Sequence, residues 1–245
     1  TGVQTCALPI SAHQAEAITD VRERLADLRQ VDLVVLATPV PAIVELVGEA
    51  GRAGLTGLVT DVGSTKRRIM EAASTSGVRF VGGHPMAGAA RGGFSQARAD
   101  LLHGREWLLV PAPGRADADQ DVAGLERLAR GLGAVPRRLT ADAHDRVMAY
   151  VSHLPQLLAS ALMSAAGAQL GAEGLNAAGP GFGDMTRLAA SPVDIWQGIL
   201  ATNADYVAEA VRALLAVLPP DAAAVGDPVR IEQLFRDAHK WASRN

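Results

Sequence analysis

Cysteine is nearly absent from this chain. Cys6 is the single one in 245 residues, which excludes an intramolecular disulfide framework. Aromatic residues are scarce at 4%, so the apolar content comes from Ala, Val, Leu and Gly, a composition suited to close helix–sheet packing. Charge of neither sign dominates. With 23 basic and 26 acidic residues the net charge is −3, which gives no electrostatic case for nucleic acid or an anionic membrane as partner. A long apolar run is also lacking: the most apolar stretch, residues 31–47, is broken by Asp32, Pro39, Pro41 and Glu45, and is too interrupted to span a bilayer. No grouping of His, Cys, Asp or Glu has convincing metal-ligand spacing. Walker A and GxSxG patterns are missing as well. A reducing cytoplasm is the expected setting.

Position 1 is not Met, and the first residues lack the basic segment and apolar core of a signal peptide. Gln4 to Ile10 resembles the conceptual translation of a sequencing adapter. Residues 1–10 are therefore expected to be a non-native tail, in which Cys6 carries no chemistry.

What is present is an alternation. Residues 31–37 (VDLVVLA) form a continuous β-branched and leucine run, as expected of a strand covered on both faces. Helix is expected over 41–50, strand over 58–62, helix over 65–76 and strand over 78–82. Further strands are expected over 106–110 and 135–139, flanking a helix over 119–133. This pattern indicates βαβ units and a mostly parallel sheet. After Thr140, a plausible N-cap with Asp142 in the first turn, the strands stop. A helix to about residue 170 is expected, kinked at Pro155, whose missing N–H leaves the Val151 carbonyl without its helical partner. Residues 171–181 read as loop. Ser191-Pro192-Val193-Asp194 is a helix start, and the helix runs to Leu218. Its broad apolar surface requires more than one covering element. Asp227-Pro228 opens a last helix. The fold class is thus α/β: a truncated Rossmann-type dinucleotide-binding domain over 11–139, then an all-helical domain over 140–245.

Five segments carry candidate chemistry. Ala37-Thr38-Pro39-Val40 follows a buried strand, where a dinucleotide would pass; it also reads as a simple strand-to-helix turn. In Asp61-Val62-Gly63-Ser64-Thr65-Lys66, Ser64 is placed either to cap the next helix or to point its hydroxyl at a ligand. His84, twenty residues on, stands at another strand end, and Gly82 and Gly83 are expected to leave room for a ligand beside it. A histidine there can accept a proton near neutral pH. His153 sits in Ser152-His153-Leu154-Pro155 at the expected kink, a position equally compatible with a structural role. Arg187 follows the glycine-rich Gly181-Phe182-Gly183-Asp184-Met185-Thr186, and is either a surface residue or a bidentate grip for a carboxylate. His13, His103, His144 and His239 have no comparable setting.

In this order the five segments resemble the prephenate dehydrogenase family, which includes arogenate dehydrogenases. Trp196 also falls where that family usually has tryptophan. The resemblance covers residues 16–218. It implies NAD- or NADP-dependent oxidative decarboxylation of prephenate, or of arogenate, in tyrosine biosynthesis. It implies His84 as the base, Ser64 orienting it beside the nicotinamide, and Thr38 and Pro39 near the cofactor. It further implies Arg187 on the ring carboxylate, His153 and Trp196 at the substrate, and a homodimer built by the helical domain. Two departures stand out. No Gly-x-Gly-x-x-Gly turn occurs, so the pyrophosphate cradle is missing from these 245 residues and the chain itself is expected to bind NAD poorly and be inactive. Ala89-Ala90-Arg91-Gly92 stands where many relatives carry a hydroxyl, an acid and a serine, which affects substrate-side hydrogen bonding and gating by tyrosine. Another Rossmann-plus-helical dehydrogenase of a small carboxylate, or a non-catalytic dimeric relative, are the alternatives.

Overall fold

The first apolar run forms β1 (Leu33–Leu36), shorter than the sequence predicts. Val34 and Leu36 are buried, whereas Val35 between them is 45% exposed. The strand is therefore half-buried, not covered on both faces. It lies at the sheet's edge and, among the described residues, pairs only with β2 (Leu58–Asp61). The structure is a computed structural model, describing residues 20, 22–88, 97–112, 114 and 117–243. The adapter-like tail, Cys6, His13 and the segment at 89–92 lie outside the described residues.

The sheet order is sequential. β1, β2 and β3 (Arg79–Pro85) run parallel, β4 (Glu106–Pro111) is antiparallel to β3, and β5 (Val135–Arg138) is parallel to β4. Between them lie α1 (Val40–Ala53), α2 (Arg67–Ser76) and α3 (Ala118–Gly131). Adjacent strand residues face opposite sides. Phe80 joins a cluster with Val34, Ile43, Val47, Val59 and Ile69, while Val81 joins one with Trp107, Leu109, Val122 and Leu125. Helices thus cover both faces at the middle of the sheet, and at β1 one face only, the layering of a Rossmann-like domain. β3 runs three residues beyond its predicted end, because the β4 ladder extends its pairing: His84 stands opposite Leu108 and Pro85 opposite Trp107.

After β5 the chain is helical. Thr140 caps α4 (Ala141–Met148) by accepting from the Ala143 N–H at 3.1 Å. The break expected at Pro155 takes a specific form. A π-helical turn spans Ala149–His153, and the Leu154 N–H reaches back five residues to the Ala149 carbonyl. α5 (Leu154–Leu175) follows, with Pro155 in its first turn and a non-helical Gly171 (φ 63°, ψ −175°). The stretch expected as loop is partly helical. Pro180 opens α6 (Pro180–Thr186), and a 3-10 turn continues over Arg187–Ala190. The long helix expected to Leu218 is two helices, α7 (Val193–Thr202) and α8 (Ala204–Val217), broken at the buried Asn203. Ser191 does not cap α7, because the helix begins one residue later and Pro192 holds the cap position. Two further helices, α9 (Ala222–Gly226) and α10 (Pro228–Ala242), follow; the latter opens at Pro228 as expected, and the Asp227 side chain caps it. Tyr150, Val151, Leu158, Leu162, Ile195 and Leu215 stay exposed on the helical part. Among the described residues no helix is long and apolar enough to cross a membrane.

Candidate active site

Because β1, β2 and β3 are parallel, their carboxyl ends meet at one edge of the sheet. Thr38 and Pro39 are exposed in the turn after β1, with Pro39 in the cap position of α1. The turn after β2 is built around Asp61. Its carboxylate accepts from the Gly63 N–H (2.8 Å), the Gly83 N–H (3.0 Å) and the Lys66 ammonium. Asp61 and Lys66 are both fully buried. Burial drives the Lys66 pKa below its ordinary value, against the opposing pull of Asp61. Gly63 is required here, since a Cβ would lie 2.9 Å from the Asp61 Oδ2.

This turn places Ser64 on a cleft of about 520 Å³ that is also lined by His84, Pro85, Arg98 and Trp107. Gly82 and Gly83 do not leave room for a ligand. A Cβ on Gly83 would fall 2.4 Å from the Asp61 carbonyl, and one on Gly82 would meet Met70 and Lys66. Their small size serves strand packing, and the space beside His84 opens on the Ser64 side.

Ser64 does not cap α2. That helix starts at Arg67, and its N-terminus is satisfied from the helical domain: Asp145 accepts from the Lys66 N–H (2.6 Å) and the Arg67 N–H (2.9 Å). Sequence reasoning missed Asp145 and its neighbour. The His144 Nδ1 lies 2.8 Å from the Asp145 Oδ1, and the His144 Nε2 lies 2.9 Å from the His84 Nδ1. The three side chains form a line from the domain junction to the cleft. A His-Asp dipeptide in a helix carries no signal until the fold brings residue 84 beside it, sixty positions away.

All three histidines of this region are held below the ordinary imidazole pKa. For His84, burial is the main cause, reinforced by His144, Lys66 and His153, and the shift is large. For His144, burial outweighs the hydrogen bond to Asp145. For His153, burial is again first and lowers the pKa to about 4. Asp145 goes the other way for a buried acid. Burial opposes its charge, but the His144 hydrogen bond and the two backbone N–H groups hold it below the usual carboxylate value.

His153, fully buried, accepts at Nδ1 from the Asn203 side-chain amide (3.1 Å) and meets Trp196 edge-on at 6.1 Å. Its Nε2 is buried without a partner among the described residues, as is the Gln156 Oε1, three residues further along the helix. The third such atom among the described residues is the Trp107 Nε1, at the Ser64–His84 cleft; each is a buried polar group that calls for an explanation. Arg187 is exposed at the head of the 3-10 turn, and is not among the described residues that line the Ser64–His84 cleft. Arg67 joins the two domains, donating to Asp205 (2.7 Å) and Asn203 (3.0 Å). Among the described residues no three potential ligands group into a metal site.

The chain matches the family described as "Prephenate dehydrogenase, nucleotide-binding domain" over residues 4–137 and "Prephenate dehydrogenase, dimerization domain" over residues 140–219. The prephenate dehydrogenase of Bacillus subtilis (strain 168) is 32% identical over 190 residues, which is 75% of this chain and 51% of that protein. The chain thus spans about half the length of this curated relative. The crystal structure of prephenate dehydrogenase from A. aeolicus, in complex with hydroxyphenyl propionate and NAD+, matches with a TM-score of 0.85 at 26% identity, covering 96% of this chain and 85% of that one. The arogenate dehydrogenase of Synechocystis shares the fold, with a TM-score of 0.80 at 24% identity, covering 99% of this chain and 89% of that one. With matches spanning both the sheet and the helices, the chain belongs to the prephenate dehydrogenase family.

Proposed function

We propose that the protein containing these residues oxidatively decarboxylates prephenate to 4-hydroxyphenylpyruvate, or arogenate to tyrosine, with NAD or NADP as the oxidant. The observation that carries this reading is His84, held beside Ser64 on the cleft with its Nδ1 engaged by His144. Its lowered pKa keeps the imidazole neutral at physiological pH, the form a general base requires. His84 takes the proton of the ring hydroxyl as the carbonyl forms, and the ring carboxylate leaves as CO2. NAD(P), when bound, accepts the hydride from the carbon bearing that hydroxyl.

Ser64 orients His84 at the nicotinamide side, and the exposed Thr38–Pro39 turn at the same sheet edge fits a cofactor lying across the carboxyl ends. The buried, unpartnered His153 Nε2 supplies a donor for the substrate, with Trp196 packed beside it. Arg187, exposed, is free to grip a carboxylate through two hydrogen bonds. The exposed apolar helical residues form a homodimer surface. The pyrophosphate has no glycine-rich cradle in this sequence, so these 245 residues alone bind the cofactor weakly and turn over little substrate.

The test is reduced-cofactor formation by the product of the complete gene, offered prephenate and arogenate with NAD and with NADP, beside a His84→Asn variant. Turnover of one substrate that falls by about 10²- to 10⁴-fold in the variant supports the reading. A folded, cofactor-binding protein that turns over neither substrate refutes it.

A further inference from the structure

The hydrogen-bond line behind His84 has a direction, and that direction fixes where the protons sit. Asp145 is fully buried and ionised, and a carboxylate only accepts. The His144 Nδ1 at 2.8 Å must therefore carry the proton. A neutral imidazole carries one N–H, so the His144 Nε2 has a bare lone pair and accepts. The His84 Nδ1 at 2.9 Å is then the donor, and its Nε2, with no hydrogen bond among the described residues, is left unprotonated.

We infer that His144 is a positioning residue that locks His84 into the Nδ1-protonated tautomer, leaving the Nε2 lone pair for the substrate hydroxyl. The inference rests on the reading of His84 as base. When the His84 Nε2 gains the hydroxyl proton, its charge is stabilised through the Nδ1–H donated to His144, and onward by the Asp145 carboxylate. The arrangement follows the logic by which a buried carboxylate orients a catalytic histidine in hydrolases, here with a second imidazole interposed.

A merely structural reading does not account for His144. Asp145 already closes the start of α2 with both oxygens, a task that needs no histidine between it and the sheet. His144 is nevertheless fully buried, and its two ring nitrogens are both spent on this line. The other charged or titratable groups acting on His84 are Lys66 from the β2–α2 turn and His153 from the π turn. Like a charged His144, both disfavour a positive His84, so the charge formed in the reaction is stabilised only while His144 stays neutral and accepts the Nδ1–H, with its own Nδ1–H held by Asp145.

The experiment is ring-nitrogen NMR of the chain with labelled histidine, which reads tautomers directly and needs no activity. His84 is expected as the Nδ1–H form across pH 6 to 8. His144→Phe keeps a ring in the space but cannot accept, and is expected to move His84 to the Nε2–H form. His144→Gln, whose side-chain oxygen can accept, is expected to retain the Nδ1–H form, and it serves as the second variant should the phenylalanine not fold. In the complete enzyme, His144→Phe should lower kcat by about 10²-fold with a much smaller change in KM, and His144→Gln should recover part of the loss. A wild-type His84 already in the Nε2–H form, or one unmoved by His144→Phe, overturns the inference. The His84→Asn assay separately decides whether His84 is the base at all, so the two failures are distinguishable.

Discussion

Acid should unfold this protein through its histidines before its carboxylates. The perturbation is a drop from pH 7 to pH 4. His153 has a folded pKa of about 4, against 6.5 for the unfolded side chain, because its burial disfavours the charged ring. Between these values the unfolded chain binds more protons than the folded one. The stability linked to His153 is therefore complete above pH 6.5 and is lost as the pH falls through about 4. A gap of about 2.5 pH units at about 1.4 kcal/mol each makes this loss about 3 kcal/mol. His84 and His144 are displaced in the same direction and add to it. The measurement is urea unfolding at pH 7 and pH 4, followed by tryptophan fluorescence, for which Trp196 beside His153 is a local reporter. His153→Gln keeps an acceptor for Asn203 and removes the titration, so its loss on acidification should be smaller than that of the wild type by about 3 kcal/mol. Equal losses in the two proteins would refute the reasoning.

Two other perturbations have definite outcomes. Lys66→Met removes one partner of a fully buried ion pair, and should lower the unfolding free energy by about 3–5 kcal/mol in the same titration; a cost below about 1 kcal/mol would show that the buried amine is uncharged in the fold. Val35→Lys, on the exposed face of the edge strand, should reduce concentration-dependent light scattering while leaving the urea midpoint unchanged, and undiminished scattering would show that β1 is not the sticky edge.

Much of the scaffold was legible because it is written in short-range chemistry. The short apolar runs expected as strands over 31–37, 58–62 and 78–82 each hold a strand, at Leu33–Leu36, Leu58–Asp61 and Arg79–Pro85. Thr140 caps the helix it was expected to cap, and the last helix opens at Asp227-Pro228 as expected. Ser64 and His84 share a cleft, as two parallel strand ends should. The failures share one cause, which is that the deciding partner lies far along the chain. Asn203 breaks the predicted long helix because its side chain is taken by the Asp145 carbonyl and His153. Ser64 is not the cap of α2 because Asp145, from another domain, already fills that role. Gly82 and Gly83 looked like space for a ligand, but the neighbouring strand and turn occupy it. The 171–181 stretch, expected as loop, is partly helical because α5 runs on to Leu175 and Pro180 is a good first helical residue for α6, whose glycines cost too little to prevent about two turns.

The π turn at Ala149–His153 acts as a phase setting for everything after it. It holds one residue more than a regular turn, and each residue advances a helix by about 100°. Its present phase sends His153 and Ala149 inward and leaves Val151 largely exposed. Deleting any one of residues 149–152 would take out the extra residue and set Pro155 in a regular helix, where its ring clashes with the carbonyl four residues back. It would also rotate either His144–Asp145 or His153–Gln156 by about a quarter turn relative to the other. Two halves of one site are thus kept in step by a local irregularity, so single-residue length changes in this segment would be far more damaging than most substitutions within it.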